Sequence, residues 1–213
     1  MKLGQYIDTF LALMLLTEVK GRMSDNKGNS RVDAALSKVI RKMEKNQSDD
    51  GTWANQGWAP VLAQSVAVQA INKTAQKGVN VDEKIRERAE RYSRQQFDAI
   101  SGRFKGEGSA GVYLYSAAGN LAAIQQSTIT NKQMRARLEK EARQAPSTTA
   151  RKAAKDKLAR FRAADADLDS ARKSIIARLD DKDFISGFGS NGGEDFLSYL
   201  NISESLVARG GKE

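Results

Sequence analysis

Cysteine and histidine are missing altogether from this 213-residue chain. Without cysteine there is no disulfide framework and no thiol chemistry. Most zinc sites and most nucleophile–base pairs draw on one of these two side chains, so those chemistries are excluded or poorly served. No catalytic residue, metal ligand or cofactor is therefore expected from the chain itself. Proline is scarce, with only two residues, and β-branched alternation with Pro/Gly hairpin pairs is nearly absent. A long hydrophobic run is missing too. The apolar stretch Phe10–Leu16 is too short to span a bilayer, so no transmembrane segment is expected. Asp8 and Thr9 precede it and no small-residue cleavage pattern follows, which argues against a signal peptide. A cytoplasmic location is expected, with secretion left open.

Acidic side chains are scarce in one place. Residues 131–162 hold Lys132, Arg135, Arg137, Lys140, Arg143, Arg151, Lys152, Lys155, Lys157, Arg160 and Arg162 against Glu139, Glu141 and Asp156. That window carries +8 of the formal net charge of +9. The basic character thus belongs to one segment and says little about the main body.

What is present reads as helix. Val32, Ala35, Leu36, Val39, Ile40 and Met43 fall at i, i+3, i+4, i+7 spacing and make one apolar stripe. Tyr6, Phe10, Leu13 and Thr17 suit one face of an amphipathic helix. The fold class is all-α, as a single domain over 1–213.

A repeat is visible within it. Three stretches, beginning at Gly51, Gly102 and Gly187, each have a second glycine six residues on, at Gly57, Gly108 and Gly193. Each has an aromatic residue just after the first glycine: Trp53, Phe104 and Phe188. Counted back from the first glycine, Val32, Val39, Ile40 and Met43 fall in register with Leu168, Ile175, Ile176 and Leu179. The middle copy is looser. The unit is helix, glycine turn, helix, with outer helices expected over 30–45, 82–98 and 166–181. Inner helices are expected to begin near Pro60, Gly111 and Gly193. The wider spacing of the third unit corresponds to the basic window, read as a helical hairpin inserted over 130–164. Pro146 should stop its first helix, and the Ser/Thr residues after it should cap the second.

The string Gln47-Ser-Asp-Asp-Gly51-Thr-Trp53 has the form Q-x3-G-x-W. It resembles the QW motif of squalene and oxidosqualene cyclases, which belong to the same α-α toroid superfamily as protein prenyltransferase β subunits. The stretch after Gly187 is similar to bacterial proteins carrying prenyltransferase/squalene-oxidase-type repeats. The resemblance covers 1–126 and 165–213. It implies helix pairs arranged as an α-α toroid, here a partial toroid of about three repeats. In such an array Gln47 would bond exposed backbone at a helix end and Trp53 would cover the neighbouring turn. An inner-helix cavity could hold an apolar or isoprenoid ligand, with Trp58, Phe104, Tyr113, Tyr115, Phe188, Glu194, Asp195, Phe196 and Tyr199 as candidate lining. Each of these aromatics has an ordinary packing role as its alternative.

The superfamily's chemistry departs from this chain. Its prenyltransferases hold zinc with Asp, Cys and His, which cannot be assembled without Cys and His. Its class II cyclases use D-x-D-D, whereas Asp165, Asp167 and Asp169 have the wrong spacing. These three read instead as a solvated helix N-terminus. Three function classes follow. One is a module non-catalytic by itself, used in ligand binding or protein assembly. Another is part of an isoprenoid-processing enzyme whose catalytic groups lie outside this chain. The third is an anion-binding module acting through Arg135, Arg137, Lys140, Arg151, Lys152 and Lys155. Nucleic acid is the weaker partner for that segment, because Phe161 is its only aromatic residue. A partial toroid leaves its inner face and ends uncovered, so further chain, a protein partner or a second copy is expected to cover the open side.

Overall fold

The computed structural model describes residues 5–53, 60–105, 113–185 and 193–209. Gly57, Trp58, Gly108, Gly187 and Phe188 lie outside them, and the side chains of Gly193, Glu194 and Asp195 are likewise outside the description. The described residues form eight helices and one two-stranded hairpin: α1 (Ile7–Val19), α2 (Asn26–Asn46), α3 (Pro60–Gln76), α4 (Glu83–Gln95), β1 (Phe97–Asp98), β2 (Arg103–Phe104), α5 (Tyr113–Gln144), α6 (Thr148–Ile176), α7 (Lys182–Ile185) and α8 (Gly193–Arg209). The protein is mostly helical, and none of these helices is long and apolar enough to cross a membrane.

Local chemistry sets several of the helix ends. The Asp25 carboxylate accepts from Gly28 N at the start of α2, and Asp82 accepts from Lys84 N at the start of α4. Ser147 Oγ accepts from Ala150 N at 3.1 Å and opens α6. Each satisfies a backbone donor that a helix N-terminus leaves over. Pro60 occupies the first turn of α3, where its missing N–H removes no intrahelical bond.

The helices pack in two layers. One is a row in which α1 packs on α3, α3 on α5, and α5 on α8. In the other, α2 lies against α1, α4 against α3 and α5, and α6 against α5. The sequence stripes explain the second layer: α2 buries Val32, Leu36, Ile40 and Met43, while α6 buries Leu168, Ala171 and Ile175. Ile176 is the exception to the register read from the sequence. It closes α6 and is exposed, whereas its counterpart Ile40 is buried.

The row itself is built from small and polar side chains. Residues 114–128 of α5 are buried on every side, as befits a helix with neighbours all around. Ala117, Ala118, Gly119, Ala122 and Ala123 of α5 are buried, as are Ala63, Ala67 and Ala70 of α3. Ser65 Oγ donates to the Gly119 carbonyl at 2.8 Å, and a side chain at 119 would meet Val61 at 3.1 Å. Small residues thus let α3 and α5 come close enough for direct side-chain-to-backbone bonds.

The basic window is not a separate pair of short helices. It forms the distal halves of α5 and α6, each continuous with the part that packs in the body. No glycine or proline interrupts α5 between Gly119 and its end, so the helix runs on. A small cluster of Leu138, Ala142, Ala154, Leu158 and Phe161 holds the two halves together. Pro146 lies in the turn between them.

Candidate functional site

Two turns carry the most specific geometry. In the first, Gln47 pairs with Trp53 across a tight loop, and Gly51 sits within it at φ +94°. The Gln47 amide donates to the carbonyls of Gly51 (3.3 Å) and Ile85 (3.0 Å), and its oxygen accepts from Arg88 Nε at 2.9 Å. From α3, Gln64 Nε2 donates to the same Gly51 carbonyl at 3.0 Å. One glutamine therefore links the end of α2 and its turn to α4. Trp53 is 1% exposed, and its indole N–H donates to Met43 O at 2.9 Å. Phe10 of α1 meets the indole edge-on, with ring centroids 5.6 Å apart. Trp53 is sealed between α1 and α2.

The second turn follows α4. Phe97 pairs with Phe104, and Gly102 sits between them at φ +67°. The two phenyl rings lie 5.0 Å apart. Asp98 ties the loop by accepting from Ile100 N and Ser101 Oγ. These hydrogen bonds hold its carboxyl below the usual range, the Ser101 hydroxyl most strongly. Ser174 of α6 donates its hydroxyl to the Gly102 carbonyl. The first turn thus rests on α4 and the second on α6.

Each of these two helices also sends an arginine inward. Arg86 of α4 donates to Asn72 of α3 at 3.2 Å and to Asn131 of α5 at 3.4 Å. Arg172 of α6 donates to Gln125 of α5 at 3.1 Å and to Ser205 of α8 at 2.8 Å. Both are buried. Asn72 goes on to Ser127, and Asn131 to Glu90 at 3.1 Å. Burial disfavours the charged Arg86 guanidinium, and Glu83, Glu90 and Glu87 offset this. Burial likewise raises the Glu90 carboxyl above its ordinary value, against the opposing Asn131 hydrogen bond and the charges of Arg94, Arg160 and Arg86. Glu90 Oε1 has no hydrogen-bond partner. Sequence reading missed both arginines, although Leu168, Ala171, Arg172 and Ile175 share one stripe. A charge inside an apolar stripe was the available signal.

An open cleft of about 340 Å³ lies between α4 and α6, lined by Glu87, Glu90, Arg91, Arg94, Arg160 and Asp167 among others. Ion pairs span it. Arg94 meets Asp167 at 2.6 Å, Arg160 meets Glu87 at 2.5 Å, and Lys157 meets Glu83. Arg135 of α5 pairs with Asp165 at 2.5 Å. Asp165, Asp167 and Asp169 therefore do not form a solvated helix start. They lie in the middle of α6, and two of them fasten it to neighbouring helices.

The candidate anion-binding residues divide accordingly. Arg135 is engaged by Asp165, and Arg137 pairs with Glu141 along α5 at 2.8 Å. Lys140, Arg151, Lys152 and Lys155 are exposed on the distal hairpin. Lys155 joins Arg143 and Arg162 around an open groove of about 430 Å³ that Ala142 and Leu158 also line, with Glu139 as its one acidic residue.

The candidate cavity aromatics among the described residues lie in different places. Phe104 and Tyr113 line a crevice of about 10 Å³ beside Ser174 and Phe184, scarcely room for one water. Tyr115 is buried, and its hydroxyl accepts from Leu62 N at 3.1 Å, which caps the first turn of α3. Phe196 and Tyr199 are exposed on α8. No group of three or more Asp or Glu side chains that could hold a metal ion occurs among the described residues. Searches against family models, curated proteins and solved structures match nothing.

Proposed function

We propose that this chain is a scaffold of α-α toroid type, similar to the helical-hairpin arrays of terpenoid cyclases and prenyltransferases, non-catalytic by itself and used in assembly or apolar ligand binding. One observation carries the reading. Both described turn glycines rest on the second-layer helix of the unit that follows, Gly51 on Arg88 and Ala89, Gly102 on Ser174. Such a contact fixes each hairpin's orientation on the next. The two inward arginines support it, because Arg86 precedes Gly102 by nearly the same interval as Arg172 precedes Gly187. Each joins adjacent helices of the row, α3 with α5 and α5 with α8. Their donors are spent on cohesion.

The test is turnover. Purified chain incubated with farnesyl diphosphate, geranylgeranyl diphosphate or squalene should return each unchanged. A cyclised or transferred product would overturn the reading in favour of an isoprenoid-processing enzyme.

A second reading rests on the groove of Arg143, Lys155 and Arg162. Three cations around an apolar floor suit a polyanionic partner. Replacing all three with glutamine should abolish retention on heparin. Retention in the parent should fall steeply with salt, since screening shortens to about 8 Å at physiological ionic strength.

A further inference from the structure

The basic residues of the distal α5–α6 hairpin fall into two sets. One faces the body and is neutralised there: Lys157 meets Glu83 and Glu87, Arg160 meets Glu87, and Arg135 meets Asp165. The other set turns away from the body. Arg143 of α5 and Lys155 and Arg162 of α6 line the groove of about 430 Å³. Arg151, one helical turn before Lys155, shares their face of α6. At about 100° per residue, Lys157 and Arg160 fall on the far side of that helix. Arg143, Arg151, Lys155 and Arg162 are all exposed, and none is in an ion pair among the described residues. Arg151 and Lys155 are like charges at i,i+4, a pairing that destabilises a helix. The row gives the fold nothing and leaves its charge to a partner.

We propose that this row docks on the phosphate backbone of double-stranded DNA, without regard to base sequence. This rests on the groove being a polyanion site and names the polyanion. A second copy of the chain is repelled, because residues 131–162 carry +8 of the net charge of +9. Protein partners are held by apolar and aromatic anchors at the centre of the interface. A membrane-surface helix sinks an apolar face beneath the headgroups. The distal hairpin offers neither, since none of the exposed large hydrophobic side chains lies between residues 131 and 162. Single strands need an aromatic platform for their bases, and Phe161, the one aromatic residue of the window, is 2% exposed. A duplex needs no such platform, because its phosphates alone supply sequence-independent binding.

The dimensions agree. α6 runs unbroken from Thr148 to Ile176, so Arg151, Lys155 and Arg162 form a straight row about 16 Å long. Over that length one DNA strand presents about five phosphates, enough to engage the row and Arg143 across the groove. The groove lining carries charge but no hydroxyl or amide side chain. It suits phosphate oxygens and holds nothing dedicated to the 2′-hydroxyls through which RNA duplexes are recognised.

Anisotropy of a labelled short DNA duplex, titrated with the full chain across a salt series, tests this. Four cations on phosphates give a slope of about −3.6 for log affinity against log salt. Arg151→Gln should make that slope shallower by about 0.9, and Arg143→Gln, Lys155→Gln and Arg162→Gln together should leave about −0.9. Helical circular dichroism should not change, because all four side chains are exposed. A slope that Arg151→Gln leaves unaltered would overturn the proposal. So would a single strand or an RNA duplex that binds at least as tightly, or vesicles of phosphatidylserine and phosphatidylcholine that capture the chain in preference to the duplex. Heparin separates the two claims. A parent that heparin does not retain sinks the polyanion reading and this proposal with it. A parent that heparin retains but that leaves the duplex free sinks this proposal alone.

Discussion

α4 and α6 do the same two things with different tolerances. Both are met by a glycine turn from earlier in the chain, and both send an arginine between two helices of the row. At α4 the fit is tight. A Cβ on Gly51 would lie 2.6 Å from the Arg88 carbonyl carbon and 3.1 Å from Ala89 N, both backbone atoms that cannot swing away. At α6 a Cβ on Gly102 would meet only the Ser174 side chain, at 3.5 Å and 3.8 Å. At the α4 junction Gln47 bonds the Ile85 carbonyl of α4, while Gln64 and Trp53 fix the turn through the Gly51 and Met43 carbonyls. The α6 junction is held by two phenyl rings and one serine hydroxyl. Three side chains bonded to backbone demand one geometry more strictly than a single serine and a ring pair do.

The largest expected effect is therefore at Gly51. Gly51→Ala combines a left-handed backbone with a clash against helix backbone, and should cost about 4 kcal/mol or more, in the range reserved for named structural failures. For a chain of this size that lowers the melting temperature by roughly 8–16 °C. A smaller loss would show that α4 can move away from the turn, and that the two junctions are equally soft. Next comes Trp53→Ala, with an expected cost of about 3–5 kcal/mol, as for other fully buried aromatics. Urea unfolding measures it. An unchanged midpoint would remove Trp53 from the packing role and break the contrast with the Phe97–Phe104 pair.

Much of this was legible in the sequence, for physical reasons. The α2 stripe and the Phe10, Leu13, Thr17 face of α1 follow from helical periodicity, because apolar residues on one face have one place to go. Gly51 and Gly102 stood out, and both sit at positive φ, which few other residues tolerate. Other features left no such trace. The two-residue strands β1 and β2 arise from closing the turn, and they are too short to show alternation. Asn72, Asn131 and Gln125 are buried, while amphipathic reasoning assigns such residues to water. They are inside because Arg86 and Arg172 supply their partners, a pairing between residues 14 to 47 positions apart. The described cavity candidates, Phe104, Tyr113, Tyr115, Phe196 and Tyr199, lie in different places because α-helical spacing fixes a residue's face without saying what that face meets. Tyr115 came to cap α3, and Phe196 came to the outside.

Gly102→Ala should be far milder than its counterpart. The new methyl finds ordinary contact distances, so the cost reduces to the left-handed backbone, about 1–2 kcal/mol. Measured beside Gly51→Ala in the same denaturant series, the two give the tolerance of each junction directly. Equal losses would mean that backbone conformation, and not the neighbouring helix, sets the penalty at both.

The smallest expected effect lies at Glu90, and it is distinguished by its pH dependence. Glu90 stands one helical turn from Arg86, buried, with its carboxyl raised above the ordinary 4.5 chiefly by desolvation. At α6 the corresponding acid is Asp169, 3.6 Å from Arg172 and well exposed. A carboxyl whose folded-state value is raised holds its proton more tightly in the folded chain than in the unfolded one. Below the unfolded value both states are protonated and the group takes nothing from stability. As pH rises through the raised value the folded chain must surrender that proton or bury a charge, so stability falls. Glu90→Gln removes the titration while leaving an amide oxygen for the Asn131 donor. It also withdraws a charge that favours Arg86, so the net change near neutrality is small. Across urea series from about pH 4 to about pH 8, the parent should lose stability relative to the variant as pH increases. A flat Glu90 difference, or one of opposite slope, would mean that water or Arg94 already satisfies this carboxylate, and that α4 and α6 are electrostatically alike.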